Sequence, residues 1–294
     1  MQFGFCFAAF WERERKLGFD AAMLERAAQA FRADMWDSAC EDALYECGIA
    51  ERRFGPVQVN VIEALPESFA LNTVLGAAEP GAVRGGHLEQ AIEWADAFGV
   101  DYRVMVGKQR PETAAAEAWL DRHGFEQGSG WMRYARNGMA PPDLPGVPGV
   151  KVWEIGEPGD EDLAGETMVF SAAAALGMPS VASTLLCELP AQKRWHCFTA
   201  ELEEEIVAYG SMLIRDGVAA LGLETTIPAA RRRGCNQALL RERILTAYES
   251  GCEVIFAGVP TYGSDLAGPA ARNLIRAGFV PAHLSVNWQR PRSW

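Results

Sequence analysis

The spacing of apolar and polar residues changes period repeatedly along this chain, and each change marks an element. Residues 12–54 read as mostly helical. Met23, Leu24, Ala27 and Phe31 share one face of Phe19–Phe31, and Trp36, Ala39, Ala43 and Leu44 continue the pattern in Met35–Leu44. Val57–Leu65 alternates in part and predicts a strand, as does Phe69–Gly76. A helix over His87–Phe98, a strand over Asp101–Val106 and a helix over Glu112–Arg122 follow. The last of these closes at Gly124-Phe125, before a strand over Gly130–Ala135. Past residue 150 the pattern predicts a strand at Lys151–Ile155 and helices between about 161 and 188. Paired strands at Trp195–Ala200 and Ile206–Ile214 flank a polar ELEEE turn. A strand from Val218 runs into Glu224-Thr225-Thr226-Ile227, then come a helix over 235–250 and a strand over Glu253–Val259. A helix over Pro269–Ala277 ends at Gly278-Phe279, and a strand over Pro281–Arg290 completes the chain.

Two of these runs have the same order. Strand 69–76 answers to 218–226, helix 87–98 to 235–250, strand 101–106 to 253–259, and the pair Gly124-Phe125 to Gly278-Phe279, 154 residues on. Four elements in one order at similar offsets point to an internal duplication; an unrelated α/β unit in the first half is the alternative. Between the runs, Asn137–Gly149 holds four prolines and cannot be helix or central strand. The expected organisation is a unit at 1–136, a linker at 137–149 and a second unit at 150–294.

The chemistry concentrates where the second unit turns from strand to helix. Pro228 follows the strand, Arg231, Arg232 and Arg233 meet Gly234, and helical spacing begins with Cys235 and Asn236. The first amides of a helix lack intrahelical partners and its dipole favours negative charge, so such an end takes a phosphate or pyrophosphate. An arginine-rich surface turn is the plainer alternative. Arg231-x-x-Gly234-x-Asn236 resembles the Arg/Gln-x-x-Gly-x-Gly/Ala loop of the GNAT superfamily of N-acetyltransferases, with Asn236 in place of the final small residue. The elements after it, down to Gly278-Phe279, resemble the second half of a GNAT domain. This resemblance implies an α/β (α+β) fold of two tandem GNAT-like domains, each a mixed, mostly antiparallel sheet flanked by helices.

It further implies acetyl-CoA as co-substrate. Arg231, Arg232, Arg233, Gly234, Cys235 and Asn236 would hold its pyrophosphate. The backbone of Thr225, Thr226 and Ile227 would face the pantetheine and acetyl carbonyl, and Asn273 would be a further contact. Glu224, on the central strand where some members carry a glutamate base, would be the general base; an exposed or simply paired carboxylate is the alternative. The position where many GNAT enzymes carry an acidic tyrosine is Leu274, which leaves proton return to another group, Tyr262 being a distant candidate. The first copy has one arginine, Arg84, in AAEPGAVRGG and no such loop, so it reads as a copy that has lost its cofactor site.

Composition narrows the partners. The net charge of −12 argues against nucleic acid and anionic membranes, and makes the triple arginine a local island suited to a small anion. The seven cysteines show no C-x-x-C, and the four histidines are dispersed, so no metal is expected. No apolar run is long enough to span a bilayer, and the apolar N-terminus lacks the basic start and cleavage site of a leader, so a cytoplasmic protein is expected. No serine elbow, Walker loop, zinc helix motif or dinucleotide fingerprint is present. The leading expectation is acetyl transfer to a small amine by direct attack; an acyl-CoA-binding protein without transferase activity is the alternative.

Overall fold

A computed structural model describes residues 19–38, 41–69, 71–155, 188–261 and 268–291. The helices expected between 161 and 188, and Tyr262, lie outside the described residues. Helices α1 (Ala21–Asp37) and α2 (Glu41–Cys47) open the chain, and strands β1 (Ile49–Phe54), β2 (Val57–Ile62) and β3 (Thr73–Leu75) follow. Then come α3 (His87–Asp96), β4 (Arg103–Gly107), α4 (Thr113–Arg122) and β5 (Glu126–Asn137). The second half holds β6 (Val150–Glu154), β7 (Trp195–Leu202), β8 (Glu205–Arg215), β9 (Val218–Thr226), α5 (Cys235–Glu249), β10 (Val254–Thr261), α6 (Pro269–Arg276) and β11 (Val280–Gln289).

Local chemistry accounts for several boundaries. Asp20 caps α1, accepting from the amides of Ala22 (2.9 Å) and Met23 (3.3 Å). Gly124 and Gly278, at φ 76° and 81°, let α4 and α6 turn back. The amides of Phe125 and Phe279 then reach Leu120 O and Leu274 O, both at 3.0 Å, and both rings are buried. Two expectations need correction. Ile49–Phe54 is a strand, hairpinned to β2 through Gly55, within a stretch read as helical. Residues 69, 71 and 72 are not strand: the Asn72 side chain accepts from Ile62 N and donates to Leu65 O in a turn, and only Thr73–Leu75 remains strand.

The strands make one sheet in the order β1-β2-β3-β4-β11-β5-β10-β9-β8-β7-β6. The last strand of each half lies against the other half: β11 pairs with β4, and β5 pairs with β10. These two strands also pair antiparallel with each other, Ser285 opposite Trp131. Those residues are 154 apart, the same spacing as the two Gly-Phe pairs, so the halves meet about a pseudo-twofold axis at that rung.

Helices α3 and α4 cover one face of the first half around Leu88, Val104 and Leu120. In the second half a core around Leu239, Ile244 and Ile255 lies under α5 and α6 on that face. Each such aliphatic side chain contributes about 1.5–3 kcal/mol by burial. The opposite face packs on α1, which touches β1, β2, β9 and β11. Beneath α1 at the seam, Glu25 meets Arg133 of β5 at 2.9 Å and His283 of β11 at 3.3 Å, all three buried. Among the described residues, no helix is long and apolar enough to cross a membrane.

Candidate functional site

The strand-to-helix turn has the conformation its residues dictate. After β9, a 3-10 turn at Pro228–Ala230 leads into extended Arg231, then Arg232 at φ 64° and Gly234 at φ 91°. Gly234 is the N-cap of α5, and no side chain caps it, so the first-turn amides keep their donors free. A Cβ there would stand 2.5 Å from Val147 Cγ1 of the linker, and both contact and dihedral require glycine. The linker is further tied down by Gln237, which donates to Pro145 O at 3.3 Å. Arg231 is exposed and donates through Nε to Thr226 O at 3.2 Å. Arg233 pairs with Glu203 of the β7–β8 turn, and that hydrogen bond holds the carboxyl below the usual range. Arg232 has no ion pair among the described residues. Cys235 is buried, and desolvation raises its thiol pKa, so it packs rather than reacts.

Beside this loop the sheet comes apart. β9 and β10 pair in parallel only from Val218–Leu221 to Val254–Ala257. Beyond that rung β9 continues against β8 and β10 against β5, so a gap opens between 222–226 and 258–261. At its mouth β9 bulges: Ser211 faces Gly222 and Tyr209 faces Thr225, with Leu223 between them at φ 49°. A bulge leaves its extra residue outside the ladder and re-aims the side chains around it. Thr225, Thr226 and Ile227 form the edge that runs from the bulge to the loop.

Glu224, on the bulge, is held at both oxygens. Oε2 pairs with Arg243 of α5 and Oε1 accepts from Asn236 Nδ2. Asn236 Oδ1 in turn accepts from Asn273 Nδ2 of α6 at 2.8 Å. A chain of side chains thus crosses from α5 to α6 over the gap. Arg243 is fully buried and also donates to Leu239 O (3.2 Å) and Ser211 O (3.4 Å). It fits because Gly210 has no side chain: a Cβ there would be 2.9 Å from its Cζ. The structure therefore brings Glu224, Asn236 and Asn273 together and places the arginine loop at the end of the same gap. Leu274 is buried in the core below.

Arg243 was missed in the sequence. Its signal is an arginine between Leu239-Leu240 and Ile244 on the buried side of a helix, seven residues after Asn236 and so two turns along the same face.

No family model matches this sequence, and no curated protein does. Among solved structures, the chain resembles a GCN5-related N-acetyltransferase from Sphaerobacter thermophilus at 19% identity and TM-score 0.60, covering 81% of this chain and 78% of that one. A GCN5-related N-acetyltransferase from Kribbella flavida is similar at 19% identity and TM-score 0.60, over 92% and 96%. A tandem GNAT protein from the clavulanic acid biosynthesis pathway is similar at 14% identity and TM-score 0.55, over 81% and 79%. Likeness across both halves, with a sheet that parts beside a glycine-turned helix start, shows that this chain has the fold of the GNAT acetyltransferases in its tandem form.

Proposed function

We propose that the chain is an acyltransferase that moves the acetyl group of acetyl-CoA to the amine of a small acceptor. The observation that carries this reading is the uncapped, arginine-flanked start of α5 at the end of a gap between two strands. Free amides and a helix dipole suit a pyrophosphate there, and Arg231, Arg232 and Arg233 supply charge-assisted bonds. The unpaired edge at Thr225–Ile227 suits an amide-bearing arm laid in as an extra strand. Asn273, which donates to Asn236, is the further proposed contact. The acidic charge of the chain favours a small acceptor over nucleic acid or an anionic membrane.

The reaction asks little of the protein beyond positioning. The acceptor nitrogen forms a bond to the acetyl carbon, the carbon–sulfur bond breaks, the nitrogen loses a proton and the thiolate gains one. A backbone N–H at the bulge would receive the carbonyl oxygen as it becomes negative. Glu224 is the proposed proton acceptor. Both of its oxygens are already engaged, by Arg243 and by Asn236, so Glu224 acts first as the anchor of the bulge and second as a base. With Leu274 in the core, the thiolate takes its proton from solvent or an acceptor group.

A second reading, an acyl-CoA-binding protein without turnover, is favoured by Leu274 and by the Asn236–Asn273 bridge over the gap. Free-thiol release from acetyl-CoA against a broad panel of primary amines separates the two. Amine-dependent thiol release supports the transferase, and binding without release across the panel supports the second reading.

A further inference from the structure

The first half contains the counterpart of the arginine loop, and something already sits in it. Helix α3 begins as α5 does, after a glycine N-cap of positive φ, Gly86 at 73°. The turn before it is wrapped around the carboxylate of Glu112, which is buried and is contributed by the turn after β4. Oε1 accepts from Gly81 N at 3.0 Å; Oε2 accepts from Val83 N at 2.8 Å and Arg84 N at 3.4 Å. Arg84, exposed, adds its guanidinium 3.8 Å from Oε1. When Gly86 is aligned on Gly234, Val83 and Arg84 fall on Arg231 and Arg232. Glu112 is itself the N-cap residue of α4 yet makes no capping bond there, so its side chain is committed elsewhere.

The strand gap of this half is bridged as well. β3 and β4 pair at Thr73–Arg103 and Val74–Val104, and beyond them Glu112 N donates to Ala78 O at 3.0 Å. Arg110 then grips Glu79 with two bonds, at 2.6 and 2.7 Å, and both side chains are largely buried. The gap at β9–β10 has no equivalent backbone rung among the described residues.

We propose that Glu112 is a built-in anion that occupies the phosphate cradle of the first copy, so that this half binds no acyl-CoA while keeping the cradle's shape. Burial works against its charge, but three backbone donors and Arg84 outweigh it and hold its carboxyl below the ordinary range. A diphosphate entering the cradle would meet this carboxylate at hydrogen-bond range and would have to expel it. The inference does not depend on acetyl transfer by the second half.

The test is calorimetric titration of the full chain with inorganic pyrophosphate. Arg231→Ala/Arg233→Ala, which weakens the second-half loop, is compared with the same chain carrying Glu112→Ala. The expected result is one added equivalent of pyrophosphate, bound at least tenfold more tightly than by the parent. A folded triple variant that binds no better than its parent would overturn the proposal. If the alanine variant does not fold, Glu112→Gln is used and its Tm is followed against pH. The wild-type advantage over Gln should be full near neutrality and shrink as pH falls through the depressed Glu112 pKa. An advantage that does not change with pH would overturn it equally. Failure of the wild type to bind acetyl-CoA would remove the proposed function and leave this comparison intact.

Discussion

At the scale of single residues, the candidate site is a set of charges competing for one another. Arg233 is engaged by Glu203, an exposed contact that a bound anion must share or displace. Exposed pairs are weak, so removing the carboxylate should help the ligand: Glu203→Ala is expected to tighten acetyl-CoA by about two- to fivefold at low salt. Calorimetry at low and high salt checks this, and the gain should fade as salt rises. Glu224 and Arg243 differ because the guanidinium is wholly buried. Glu224→Gln leaves it without a charged partner, at a cost of roughly 1–3 kcal/mol in urea unfolding. Arg243→Met in the same chain should recover part of that loss, because a buried pair removed together is far less costly than one broken.

At the scale of elements, the loop and the bulge carry the proposed binding geometry. Gly234→Ala forces a side chain onto Val147 at a dihedral that suits glycine. It is expected to cost about 1–3 kcal/mol and to weaken acetyl-CoA more than tenfold. Asn236→Gly removes the link between Glu224 and Asn273, opens the space between α5 and α6, and should tighten acetyl-CoA; unchanged affinity would show that the bridge does not obstruct the cofactor. This loop was legible in the sequence because each step is local: Pro228 ends a strand, Gly234 permits a positive φ, and the helical period resumes at once. The strand exchange was not. Val280–Gln289 has the same pattern of sides whichever strands flank it, so nothing in its residues says that β4 and β5 are its neighbours. Ile49–Phe54 was lost for a related reason: its alternation is masked by the paired arginines Arg52 and Arg53 and makes sense only against β2. The partner of Arg243 was likewise hidden, since Glu224 comes near it only through the bulge.

At the scale of the whole molecule, both halves meet at the β5–β11 seam, and its chemistry is acid-sensitive. Burial pushes the Glu25 carboxyl up, but Arg133 and His283 more than offset this and hold it at about 2, against 4.5 when free. Burial depresses His283 below 6.5 despite Glu25 beside it. Both groups bind protons more readily in the unfolded chain, so stability falls as pH drops. The His283 contribution is full above 6.5 and lost as pH falls through its folded pKa; that of Glu25 is full above 4.5 and lost towards 2. Thermal unfolding against pH should show both phases, with His283→Gln removing the upper and Glu25→Gln the lower. Glu25→Gln should also lower the Tm at neutral pH by leaving buried Arg133 without its carboxylate partner. The central claim, that the start of α5 is the cofactor site of a tandem GNAT fold, is tested most directly by calorimetric titration of acetyl-CoA into the wild type and Arg231→Ala/Arg233→Ala. One equivalent should bind per chain, with at least a tenfold weaker Kd in the variant. Undiminished binding in a folded variant, or none in the wild type, would contradict it.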